Sequence, residues 1–150
     1  MMESFVLGAM VWIAAHSDLD VRPDTMVVEF ATKMEIACVL EKIDPCVKST
    51  SGKEWLGYYM DGDKTVSGKP MTTIASDMPN HPLAAYAIIF HETVHHLQGG
   101  IGGKRGAAHR ECQAYRLENE WLEDMRATMI EVFNVQPLYH QMRLFCMFRP

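Results

Sequence analysis

Residues 82–98, from Pro82 to Gln98, read PLAAYAIIFHETVHHLQ. Proline suits a first helical turn, where its missing N–H costs nothing, and Asn80 or His81 stands before it as a cap. Gly99-Gly100 follows and stops the helix. Between those signals Leu83, Ala84, Ala85, Ala87, Ile88, Ile89 and Phe90 leave the first turns with no polar face, the mark of a buried helix. The polar residues then arrive together: His91, Glu92, His95, His96 and Gln98. Buried polar groups need partners, and a metal ion satisfies several at once.

Positions i and i+4 share one helix face, so His91 and His95 can present imidazole nitrogens to a single zinc ion. Glu92 sits beside them on the wheel, placed to take a proton from an attacking water without ligating the metal. Zinc makes that proton easier to lose, which is the chemistry of a metal-assisted hydrolase. The string His91-Glu-Thr-Val-His95 is by itself only suggestive; its position on a buried helix strengthens it. His96 points off the ligand face and reads as a capping or surface group.

Catalytic zinc wants a third protein ligand and an open position. A histidine six residues after His95 is ruled out, because Ile101 stands there. A second long helix is predicted over Ala107 to Phe133, and it offers His109, Glu111, Glu118, Glu120 and Glu123. Its apolar stripe is Ala114, Trp121, Leu122, Met125 and Met129, with Tyr115 and Phe133 at the edge. At about 100° per residue only Glu111 and Glu118 fall inside that stripe. If the two helices fold back across the loop Gly99–Gly106, Glu111 comes level with the metal and Glu118 lies two turns further on. Glu111 is therefore the expected third ligand. Glu118 either orients His91 through its other ring nitrogen or pairs with Arg116, Arg126 or another basic group. Tyr115 reads as a packed ring rather than an oxyanion donor. The loop from Gly99 to Gly106 holds five glycines in eight residues and reads as a flap or a flexible turn.

Residues 4–16 read as a buried first helix anchored by Trp12. Its apolar run, Phe5 to Ala15, is too short to span a bilayer, and Met1 to Ser4 lacks the basic start of a signal peptide. Val21 to Asp24 is a turn, Thr25 to Thr32 a strand, and Lys33 to Ile43 a short helix ended by Asp44-Pro45. Cys46 to Lys53 is a polar loop. Glu54 to Met60 and Met71 to Ser76 pair as a hairpin with a long connection. Asn134 to Pro137 breaks the second long helix, and Leu138 to Phe148 is a tail packing back on the core. The fold class is α+β, one domain over 1–150, with a small sheet covered by helices on one face.

The chain has 150 residues, 48% hydrophobic and 22% charged, which is ordinary for a globular domain. A net charge of −5 gives no basic face for nucleic acid. Lys104, Arg105 and Arg110 are too few to change that. Cys38, Cys46, Cys112 and Cys146 contain no CxxC pair, so a zinc ribbon is not expected. They read as reduced thiols in a cytoplasmic protein.

These residues resemble the gluzincin branch of the zincin peptidases, in which HExxH on one helix is joined by a glutamate on the next, written ExxA and a polar residue. Here the pattern is His91-Glu-Thr-Val-His95 and Glu111-Cys-Gln-Ala114-Tyr115. In size, and in the string HETVHHLQ, the chain looks like the minimal single-domain zincins and minigluzincins of bacteria and phages. The resemblance covers about residues 71–122. It implies a zincin-like fold, in which Met71 to Ser76 is the sheet edge along which an extended peptide lies. Tyr115 stands where the family often has Asp. The expected function is zinc-dependent peptide-bond hydrolysis, with His91, His95 and Glu111 as ligands of Zn2+ and Glu92 as general base and later acid. The expected partner is a peptide or protein substrate. Its rivals are a zinc hydrolase of a non-peptide amide and a zinc-stabilised binding or regulatory module. Sites of this ligand type also take cobalt or nickel.

Overall fold

The computed structural model describes residues 2–47, 55–77, 81–99, 107–134 and Cys146. The element order is α1 (Met2–His16), β1 (Val27–Ala31), α2 (Lys33–Glu41), β2 (Gly57–Met60), β3 (Met71–Ala75), α3 (Ala84–Gly99), α4 (Ala107–Asp124) and α5 (Met129–Phe133), with a 3-10 turn over Gly62–Lys64. The α+β class expected from the sequence is what the chain adopts. The expected Gly99–Gly106 loop beyond Gly99, the Asn80 cap, most of the 138–148 tail and much of the 46–53 loop lie outside the described residues.

The three strands are ordered β1-β3-β2, with β1 parallel and β2 antiparallel to β3. The expected hairpin therefore forms, in register Gly57 with Ile74 and Met60 with Met71. β3, however, is the central strand and not an edge. Thr72, Thr73, Ile74 and Ala75 are all buried in succession. Since successive side chains point to opposite faces, β3 is covered on both, which corrects the expected one-sided sheet. Gly57 has a specific reason to be glycine: an added Cβ would lie 2.9 Å from Ile88 Cγ2 and 3.0 Å from the Thr73 carbonyl. Its bare backbone lets α3 approach the sheet closely.

Around α3 the core closes on all sides. α1 buries Val6, Ala9, Met10 and Ile13. Phe90 is fully buried, with its ring stacked 5.1 Å from Trp121 of α4 and edge-on to Trp12 of α1 at 5.4 Å. Trp12 also donates from Nε1 to Asp124 at 3.1 Å, so the anchor role expected for it holds from both its apolar body and its polar edge. At the entry to α3, the Leu83 N–H donates to His81 Nδ1 at 3.1 Å, which makes His81 the cap.

The second long helix is two. Arg126 turns to a left-handed φ of 57°, and the Ala127 and Arg126 N–H groups close back on the Leu122 and Glu123 carbonyls at 2.9 Å each. That pattern ends α4. α5 then starts afresh on Thr128, whose side chain and that of Glu131 cap each other's backbone. Met125, expected in the apolar stripe, is half exposed because the chain leaves the helix there.

The cysteines correct the sequence reading as well. Cys38 pairs with Cys46 across 5.5 Å between Cα atoms, and Cys112 with Cys146 across 5.1 Å. Both separations suit a disulfide. Spacing along the chain could not report these approaches, because folding makes them. No helix among the described residues is long and apolar enough to cross a membrane.

Candidate metal centre

α3 and α4 run antiparallel, and their contacts step in opposite senses: Phe90 meets Trp121, His91 meets Glu118, His95 meets Glu111, and Gln98 meets Arg110. The centre grows out of that register. His91 and His95, one turn apart on α3, hold their rings 4.9 Å apart at 77°. Across from them Glu111 spans both: its Oε1 lies 2.5 Å from His95 Nε2 and its Oε2 3.6 Å from His91 Nε2. The donor atoms of the three residues all lie within 4.8 Å of one another. Among the described residues no other cluster of His, Cys, Asp and Glu has this convergence. His109, Glu120 and Glu123, the other candidates from α4, are not in it.

Each imidazole is held by its far nitrogen. His91 Nδ1 is 2.9 Å from Glu118 Oε2, and His95 Nδ1 is 2.7 Å from Gln98 Oε1. The bond between His91 Nδ1 and Glu118 leaves Nε2 as the nitrogen that faces Glu111. Of the two roles expected for Glu118, orienting His91 is the one the geometry bears out. Gln98 is the residue the sequence reading passed over. It entered only as a polar residue of the last turn, yet its i, i+3 spacing from His95 was the available signal. Tyr115 packs as expected, its ring centroid 4.6 Å from that of His91.

Charge at the centre is arranged by burial against pairing. Burial penalises the ionised Glu111, but hydrogen bonds from His91 and His95 outweigh it and hold that carboxyl well below the usual range. Burial likewise disfavours a charged His91, yet its contacts with Glu111 and Glu118 raise it. Glu92, buried beside them, is pushed up by burial while His91 and His95 pull the other way. Burial also raises Glu118, against its bond with His91. Two imidazoles with their Nδ1 atoms already engaged, one carboxylate facing both Nε2 atoms and a further buried carboxyl alongside form a donor set suited to zinc.

His96 corrects its expected surface role. It is fully buried, with Nε2 2.8 Å from the Asp24 carbonyl and Nδ1 2.8 Å from the Tyr59 hydroxyl. Tyr59 in turn donates to Asp61 Oδ1 at 2.8 Å, and the Arg22 guanidinium donates to the His96 carbonyl at 3.0 Å. The wheel gave its direction correctly; the side away from the ligands is covered by β2 and the loop before β1. His96 thus ties the end of α3 to the sheet.

A family model described as Domain of unknown function (DUF6647) matches residues 2–136. No curated protein and no solved structure matches the chain.

Proposed function

The chain belongs to that family, described as a domain of unknown function, and from its metal centre we propose that it is a small single-domain zinc peptidase of the gluzincin type. The observation that carries this reading is the convergence of His91, His95 and Glu111, with both histidines braced through Nδ1. His91, His95 and Glu111 would hold the ion. When bound, zinc supplies Lewis acidity that eases loss of a proton from water and polarises a carbonyl. Glu92 takes that proton as general base and returns it to the departing amine as general acid. A purely structural site has no need of a buried carboxyl in that place.

The substrate we propose is an extended peptide. With β3 central, β1 and β2 are the open edges of the sheet, and strand addition along one of them is the way such a peptide would bind. We also propose an oxidising compartment in place of the expected cytoplasmic one. Reduced thiols were the ground for the cytoplasm, and paired cysteines favour the opposite setting.

The test is digestion of a mixed peptide library by the zinc-loaded full chain. New amino termini that disappear with chelator and return with zinc are the expected result. Zinc bound without cleavage assigns the chain to the binding-module class, and release confined to non-peptide amides assigns it to the other hydrolase class.

A further inference from the structure

β1 ends the sheet, and among the described residues no strand covers its outer side. Its register with β3 runs unbroken from Val27 with Met71 to Ala31 with Ala75. The Val27 N–H donates to the Pro70 carbonyl, and the Ala31 carbonyl accepts from the Ser76 N–H. Alternate residues of a parallel strand share one side, so Val27, Glu29 and Ala31 bond inward. The N–H and carbonyl groups of Val28 and Phe30 therefore point out of the sheet. Open edges are commonly blunted by proline, lysine or a bulge. The strand VVEFA has none of these. It exposes apolar side chains instead, Val27 at 39% and Phe30 at 53%.

The open stretch has a defined end. Thr32, the next residue whose groups would face outward, is already engaged. Its N–H donates to the Glu35 carboxylate at 2.9 Å, and its carbonyl accepts from the Ile36 N–H at 3.0 Å. An added strand thus finds Val28 and Phe30, with Glu29 between them. In antiparallel pairing the residue across from Glu29 would make the closest approach of the ladder, about 4.5 Å between Cα atoms. Glu29 is exposed and is the only charge on the strand, in a chain of net charge −5. A second copy of the chain is a poor occupant. The register that uses Val28 and Phe30 of both strands sets Glu29 against Glu29, like charges directly opposed. A segment with Lys or Arg at that position meets the carboxylate with its opposite charge.

We propose that β1 is a docking edge for an extended basic segment of a partner protein. The segment adds antiparallel, with a Lys or Arg across from Glu29 and apolar residues on either side, paired with Val28 and Phe30. Docking here is separate from cleavage: α3, which carries the histidines, packs against β2 and β3, whereas β1 packs against α1. The edge belongs to the sheet and needs no ion, so it stands or falls apart from the peptidase reading.

The probe is the peptide Thr-Thr-Val-Lys-Val-Thr-Thr with an N-terminal dye and a C-terminal amide. It is titrated onto the full chain by fluorescence anisotropy and followed by amide hydrogen exchange. Binding is expected to slow exchange at Val28 and Phe30 and to leave the β2 amides unchanged. Replacing the probe's Lys by Glu weakens binding about 2–30-fold, one cross-strand attraction being lost and one repulsion gained. Glu29→Lys reverses the preference, so the Glu peptide becomes the tighter ligand. Phe30→Pro removes an outward N–H but no bond to β3, and it weakens binding about tenfold. If Phe30→Pro does not fold, the charge exchange decides alone. No binding by wild type overturns the proposal, as does protection along β2 in place of β1. A preference for the Lys peptide that survives Glu29→Lys overturns it too. So does sedimentation that shows a dimer with Val28 and Phe30 protected before peptide is added, which gives the edge to a second copy.

Discussion

Glu111→Ala is expected to weaken zinc binding by about 10²–10³-fold, and Glu118→Ala by about 10–100-fold. The first figure follows from sharing the roughly 10–16 kcal/mol of a four-ligand zinc site among its ligands, about 3 kcal/mol each. The second is the usual loss when a residue that braces a ligand is removed. The two acids share one face of α4, but they stand differently to the histidines. Glu111 faces both Nε2 atoms, whereas Glu118 reaches only Nδ1 of His91. Competitive titration against a chelator measures both. If Glu118→Ala loses the metal while Glu111→Ala retains it, the assignment of roles to the two acids is wrong.

Glu92→Gln carries the second large effect. The amide matches the carboxyl in shape and cannot take a proton from water, so zinc should bind as in wild type while turnover falls by about 10²–10⁴-fold. Glu92 is buried and lies outside the group of converging donors, so its loss leaves the first set of contacts intact. Rates of library cleavage at matched zinc occupancy read the effect. Turnover near the wild-type rate would remove Glu92 from the mechanism.

How far the sequence reached depends on which physical signal each part carries. α3 was legible because its apolar turns and the polar cluster after them are local features of one stretch. Glu111 was legible by one further step: a short connection makes two helices antiparallel, and only two acids fall on the facing stripe. The strand order was not. Pairing of β1 with β3 reaches across the intervening α2 and β2, and no local pattern reports so distant a contact. The disulfides were hidden for the same reason, since Cys112 and Cys146 meet only after folding.

Other misses were of a different kind. The break after Asp124 was written in the sequence: Thr128 followed by Glu131 is a capping box, and Met125 and Met129 at helical spacing masked it. His96 shows the limit of a helical wheel, which gives a side chain's direction but not what covers it. Gln98 and Gln113 show another limit. Gln98 Nε2 donates to Gln113 Oε1 at 3.0 Å only because α3 and α4 meet, and either amide alone reads as an ordinary polar residue.

Everything proposed for this centre stands on the ion, and the metal content of the purified chain tests it most directly. Protein kept from chelators is expected to carry about one zinc per chain, as two imidazoles and a carboxylate imply. Stripping the metal should lower the unfolding temperature and restoring zinc should raise it, by a stabilisation of about 2.7 kcal/mol when free zinc is a hundred times Kd. A chain that carries no transition metal as purified, and whose thermal stability is unmoved by added zinc, would contradict the account at its root.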